Sequence, residues 1–202
     1  MEHVIILHGL GRSTASMERL ADRVGTAGFQ THLVDYPSSK GTIENLVEQV
    51  FPSLPSVPQK LHFVGHSLGG ILAKKLALKL PDTRRGRIVQ IGTPNFGSKI
   101  AERAAIFGAL MGPALSELTP NSGIDDSGLD IGAIAGTAAI SAYGLITGIK
   151  GDNDGKVSVI SAWGNAPADK RIAFPVAHSI MMQDARVIAA TTRFLKTGGF
   201  SR

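Results

Sequence analysis

Ser67 lies in Gly65-His66-Ser67-Leu68-Gly69, between the apolar run Leu61-His62-Phe63-Val64 and a helical pattern that reaches Leu80. A hydroxyl is a poor nucleophile at neutral pH. A serine that does chemistry therefore needs a base to take its proton and donors for the negative charge that develops. A strand, a sharp turn and a helix suit such a serine. The turn lifts Oγ clear of the sheet, and the helix N-terminus aims at the reacting centre. Glycines at 65 and 69 fit that turn, because a Cβ at either place would collide with the neighbouring strand and helix. With 24 glycines in 202 residues, the bare G-x-S-x-G pattern arises by chance about 0.2 times in such a chain. The flanking pattern and the partner residues must decide. The bland alternative is a glycine-rich turn whose serine caps the next helix.

Six histidines are present: His3, His8, His32, His62, His66 and His178. On a strand-turn-helix nucleophile the partners follow in the order acid, then histidine. Only His178 lies far enough beyond Ser67. Its imidazole, with an ordinary pKa near 6.5, suits a base working near neutrality. Phe174-Pro175-Val176-Ala177-His178 reads as a short strand ending in a loop, where such a base would hang; the alternative is a satisfied surface histidine. The acid is open among Asp82, Asp125, Asp126, Asp130, Asp152, Asp154 and Asp169. Asp152 and Asp154 share the Gly-flanked loop Gly151-Asp152-Asn153-Asp154-Gly155, and a rigid loop of that kind can fix a histidine tautomer. A plain Asx turn explains either residue equally well. An EF-hand is rejected, because position 163, where its bidentate Glu would stand, is Trp. No metal and no cofactor is expected.

Four blocks together resemble the α/β-hydrolase superfamily, in particular its small bacterial lipase-like members. They are Val4-Ile5-Ile6-Leu7-His8-Gly9-Leu10-Gly11, the serine turn with His66 before Ser67, Ile91-Gly92-Thr93-Pro94-Asn95-Phe96-Gly97-Ser98, and Asn153-Asp154-Gly155-Lys156-Val157-Ser158. The likeness runs over roughly residues 3–197 and is weakest across 100–135. It implies Ser67 as nucleophile, His178 as base and Asp154 as acid, with Asp152 in reserve. It also implies an oxyanion hole made by the main-chain N–H groups of Leu10 and Leu68, leaving both side chains free to line an acyl pocket. His8 would hold its loop by a hydrogen bond. The implied activity is hydrolysis of carboxylic esters, with lipid or medium-length acyl esters first. An amidase, thioesterase or acyltransferase uses the same parts, and a non-catalytic binding module on the same fold is the rival of another class.

The elements that must position these groups alternate. Strands are expected at Val4–Leu7, Phe29–Asp35, Leu61–Val64, Arg87–Ile91, Ile131–Gly136 and Arg171–Phe174. Helices are expected at Thr14–Ala27 with Ser13 as cap, at 42–51, at 68–80 and at Ala185–Leu195. In the third helix Leu68, Ile71, Leu72, Leu76 and Leu80 should face in, with Lys74, Lys75 and Lys79 in water. Such alternation predicts an α/β fold with a doubly wound, mostly parallel sheet and active groups at the carboxyl ends of its strands. Asp154 departs from this pattern, because a long stretch separates it from the strand ending at Gly136.

Residues 1–202 read as one domain with a substrate-binding excursion around 98–128. No Lys or Arg occurs in 104–149; the stretch would form a small cap or a buried connecting helix. The charge-free run 131–149 is read as strand plus loop rather than a transmembrane segment, since Gly, Ser and Thr dilute it. The net charge of +5 and the Arg84-Arg85-Gly86-Arg87 cluster are read as a solvated face, with peripheral contact to an anionic membrane as the alternative. Aromatic residues make up only 5% and no recognition motif appears, so no nucleic-acid partner is expected. With no cysteine, disulfides and thiolate chemistry are excluded. No signal peptide is visible at Met1-Glu2, so a cytoplasmic location is expected. The partner expected is a small-molecule or lipid ester; nothing in the sequence fixes an oligomeric state.

Overall fold

The computed structural model describes residues 1–96, 114, 126, 128–139, 149 and 151–201. Among the described residues, six strands form one sheet: β1 (His3–Leu7), β2 (Gln30–Val34), β3 (Leu61–His66), β4 (Arg85–Ile91), β5 (Ile131–Gly136) and β6 (Arg171–Phe174). Their order is β2-β1-β3-β4-β5-β6 and every pair is parallel. The helices bounded within the described residues are α1 (Glu18–Thr26), α2 (Ile43–Val50), α3 (Leu68–Lys79), α4 (Val159–Trp163) and α5 (Ala185–Thr197). The α/β, doubly wound expectation holds in full.

Period-two alternation divides the apolar residues between two faces. Ile5, Leu7, Leu61, Phe63 and Ile88 pack with α2 and α3. Val4, Ile6, Val64, Val89 and Ile91 pack with α1 and α5. From β1 the chain steps outward to β2, then crosses back to β3 and proceeds the other way. The neighbouring carboxyl ends of β1 and β3 are therefore the switch point of the sheet, the place where open α/β sheets bind their ligands. Leu7 pairs with Gly65 there, so His8-Gly9 and Ser67 leave the sheet side by side.

Several local expectations need correction. Thr14–Met17 is a 3₁₀ turn before α1, and the side chain of Ser13 makes no capping bond; Ser16 instead returns its N–H and its hydroxyl to the Ser13 carbonyl. Thr42 does cap α2, in a reciprocal box with Asn45. Lys74 does not face water. It is 4% exposed and its Nζ lies 2.7 Å from Asp126 Oδ1. The stripe rule assumes a helix covered on one side, whereas α3 is buried from Leu68 through Lys74, as a helix apolar nearly all round should be. Lys75 and Lys79 pair with Glu44 and Glu48 of α2. The excursion around 98–128 lies outside the described residues, save Ala114, Asp126 and Gly128. Ile131–Gly136 is a strand as expected, and 140–148 also lies outside them. No helix among the described residues is long and apolar enough to cross a membrane.

Candidate active site

Ser67 is the one described non-glycine residue with a positive φ, at +54°, a conformation held only where the surroundings enforce it. The enforcement is visible. Its N–H donates to the Ile91 carbonyl at 2.9 Å, tying the turn to β4. A Cβ at position 65 would lie 2.3 Å from the Gly69 carbonyl, and one at 69 would lie 2.4 Å from the Leu7 carbonyl oxygen. Both glycines exist because backbone meets backbone there. The side chain of Ser67 does not cap α3, which removes the bland reading of the serine, and the residue stays half-buried rather than sealed.

His178 opens a 3₁₀ turn, His178–Gln183, just past the end of β6. Its Nδ1 lies 2.7 Å from Asp154 Oδ2, with the two side chains 5% and 0% exposed. Its main-chain N–H donates to the Asp154 carbonyl at 2.9 Å. The other carboxylate oxygen, Oδ1, accepts from the N–H groups of Lys156 and Val157 at 2.9 and 2.8 Å. Such a carboxylate fixes Nδ1 as the protonated nitrogen and leaves Nε2 to accept. Asp152 is exposed, and among the described residues only its main-chain oxygen is used, by Val159 N–H. No hydrogen bond between Ser67 Oγ and His178 occurs among the described contacts. Their elements meet through His66, whose ring centroid is 4.8 Å from that of His178.

The loop after β1 is held from three sides. His8 Nδ1 donates to the Gly9 carbonyl at 3.0 Å, as expected of that residue. Tyr36 stacks on the His8 ring at 4.2 Å and donates its hydroxyl to the His8 carbonyl. Ser38 Oγ accepts from Gly11 N–H at 3.0 Å. Burial, with the nearby Asp35 charge adding to it, pushes the Tyr36 phenol far above its ordinary value, so it stays a donor. A Cβ on Gly9 would lie 3.4 Å from Ser67 Cβ, which sets this loop directly against the serine. No hydrogen bond within the described residues occupies the N–H of Leu10 or Leu68. The Leu68 side chain lies in the core under α3, at 0% exposure, rather than in an open pocket; Leu10 is half-buried at its edge.

Sequence reasoning missed Tyr36 and Ser38. The available signal was their position, just past the end of the strand beside β1. The block around Asn95 also gains a purpose: Asn95 Nδ2 donates to Gln90 Oε1 at 3.0 Å and to the Ala162 carbonyl at 3.1 Å, joining the end of β4 to α4. Two cations border the site. Lys156 is held below its ordinary value by burial, with Arg12 acting in the same sense and Asp154 opposing it. Among the described residues, no cluster of three or more His, Cys, Asp or Glu could hold a metal ion.

No protein-family model matches the chain. Over 97 residues it is 33% identical to a pimeloyl-[acyl-carrier protein] methyl ester esterase of Yersinia enterocolitica, covering 46% of this chain and 37% of that protein. The protein of the same name from Proteus mirabilis is 31% identical over 103 residues, 48% and 38% of the two chains. The chain thus spans well under half the length of these curated relatives. Among solved structures, the mature lipase BlEst2 of Bacillus licheniformis superposes with a TM-score of 0.74 at 18% identity, covering 97% of this chain and 91% of the lipase. A Xanthomonas campestris protein assigned to the α/β superfamily of hydrolases gives 0.62 at 14% identity, covering 96% and 98%.

Proposed function

We infer that this chain, which has the α/β-hydrolase fold, hydrolyses carboxylic esters through Ser67, His178 and Asp154. The observation that carries the reading is the buried 2.7 Å contact of Asp154 Oδ2 with His178 Nδ1, at the sheet edge where the strained Ser67 also stands. Its esterase relatives support the same chemistry.

In this mechanism Ser67 Oγ attacks the acyl carbon while His178 Nε2 takes its proton. The imidazolium is stabilised by Asp154. The carbonyl oxygen becomes an oxyanion received by the N–H groups of Leu10 and Leu68, the second at the N-terminus of α3. Collapse of the intermediate breaks the ester C–O bond, and His178 hands its proton to the departing alcohol. Water, deprotonated by His178, then attacks the acyl carbon; the C–Oγ bond breaks, the acid leaves and His178 returns the proton to Ser67 Oγ. Lipid or medium-length acyl esters are the substrates proposed.

The test is active-site labelling with a fluorophosphonate together with a p-nitrophenyl ester panel of graded acyl length. Labelling of the wild type, lost with Ser67→Ala along with ester turnover, is the expected result. A folded wild type that neither labels nor turns over any ester would leave a binding module instead.

A further inference from the structure

His66 ends β3 and precedes Ser67 by one peptide bond, and it is 2% exposed. Its Nε2 lies 3.0 Å from the main-chain oxygen of His178. A carbonyl only accepts, so Nε2 carries the hydrogen. The other nitrogen, Nδ1, is buried with no hydrogen-bond partner among the described residues, 2.9 Å from where a Cβ on Gly9 would sit. His66 therefore links the parts of the proposed site. It directly precedes Ser67 in the chain, and its ring packs on the loop of Gly9 and is joined by hydrogen bond and ring contact to His178.

A second proton on this ring would bury a charge against Gly9. Burial holds the ring far below the ordinary histidine value; His178, Arg12 and Lys156 act in the same direction, and the bond to the His178 carbonyl opposes them. His66 is thus a neutral, fixed donor. Asp154 grips His178 at its N–H and at Nδ1, and His66 grips the carbonyl. The acid's grip fixes the tautomer and the ring. The grip from position 66 is the one that references His178 to the serine turn itself.

We propose that His66 is a positioning residue that sets the separation between Ser67 and His178 by clamping the His178 carbonyl. The inference rests on the hydrolase reading above, and His66 touches no substrate in it. A misplacement of about 1 Å between nucleophile and base lowers turnover on the order of 100-fold, so losing the clamp should appear in kcat.

The experiment compares His66→Leu, which removes the donor, with His66→Gln, whose amide N–H reaches toward the same carbonyl. Steady-state kinetics on a p-nitrophenyl ester are read beside thermal denaturation. His66→Leu should lose about 10- to 100-fold in kcat with KM nearly unchanged, and His66→Gln should recover most of that loss. Should the leucine variant not fold, His66→Asn takes its place, since its shorter amide leaves the carbonyl unreached. A folded His66→Leu or His66→Asn protein with kcat within twofold of wild type overturns the proposal, whatever its melting temperature. So does a glutamine variant no better than leucine. Absence of Ser67-dependent turnover in the wild type would instead remove the hydrolase reading on which the proposal stands.

Discussion

Replacing Asp154 by Asn tests the proposed relay at its most constrained point. Oδ1 of Asp154 accepts from two main-chain N–H groups, those of Lys156 and Val157. An asparagine must keep its amide oxygen there. Turning the NH₂ toward those donors would forfeit two buried hydrogen bonds and leave the donors unsatisfied, a cost of about 2–6 kcal/mol at 1–3 kcal/mol per group. The NH₂ is therefore directed at His178 Nδ1, which must become the acceptor. The ring proton moves to Nε2, and a protonated Nε2 cannot take a proton from Ser67. A wrong-tautomer base lowers turnover by about 10⁴-fold, or about 5.4 kcal/mol at 1.36 kcal/mol per decade. The fold should survive, since the side chains are nearly isosteric. Asp152→Asn is the matched control, because that carboxylate is exposed and makes no hydrogen bond among the described residues; its rate should stay within about twofold, as for a surface change away from such features. Initial rates of ester hydrolysis, read with melting curves to certify folding, decide the matter. An Asp154→Asn enzyme keeping more than a tenth of wild-type activity would refute the reasoning, and a collapse in Asp152→Asn alone would move the acid to that residue.

Tyr36→Phe deletes the hydroxyl that serves the buried His8 carbonyl while keeping the stacked ring; it should cost about 1–3 kcal/mol in a urea melt and lower kcat more than it raises KM, and unchanged stability would remove Tyr36 as the brace of that loop. Acid should destabilise the protein below about pH 6.5, because His62 and His66 are both held below their ordinary value by burial. The sign follows from proton binding: the unfolded chain takes up protons that the folded chain refuses, so stability present above the ordinary value is lost as pH falls through it, by at most about 1.4 kcal/mol per pH unit for each such histidine. Urea midpoints at pH 7.5, 6.0 and 5.0 measure this, and His66→Gln should flatten the slope; an unchanged slope would mean that His66 charges freely in the folded state.

The sequence was informative wherever a local constraint acts alone. Gly65 and Gly69 announce backbone contact, and the alternation of apolar runs with helical stripes announces a parallel sheet. The expected strands at 131–136 and 171–174 coincide with β5 and β6. What it hid depends on partners far along the chain. Lys74 reads as a water-facing residue because nothing near it in sequence reveals that Asp126 will cover it. The bonds from Tyr36 to His8 and from His66 to His178 span 28 and 112 residues, and no periodicity encodes them. By residue type and loop position Asp152 and Asp154 are alike, and only the resemblance of the block 153–158 favours Asp154. The structure separates a carboxylate buried against His178 from an exposed one.

The departure noted for Asp154, so far downstream of β5, has a physical resolution in two other glycines. A Cβ on Gly136, the last residue of β5, would lie 2.8 Å from Asp154 Cβ and 2.4 Å from the Val176 carbonyl oxygen. One on Gly92, just past β4, would lie 3.1 Å from His178 Nδ1 and 3.2 Å from Asp154 Oδ2. The distances at Gly136 are too short for a real side chain, and those at Gly92, which also holds a φ of +59°, would force its neighbours aside, so the ends of β4 and β5 form a slot suited to glycine. The separation in sequence between Gly136 and Asp154 therefore does not decide where the acid stands; the place of Asp154 is set by the strand ends it packs against. A parallel sheet makes this economical: every strand ends at the same edge, so a residue need only find the right strand terminus, whatever its distance along the chain, to stand beside the serine.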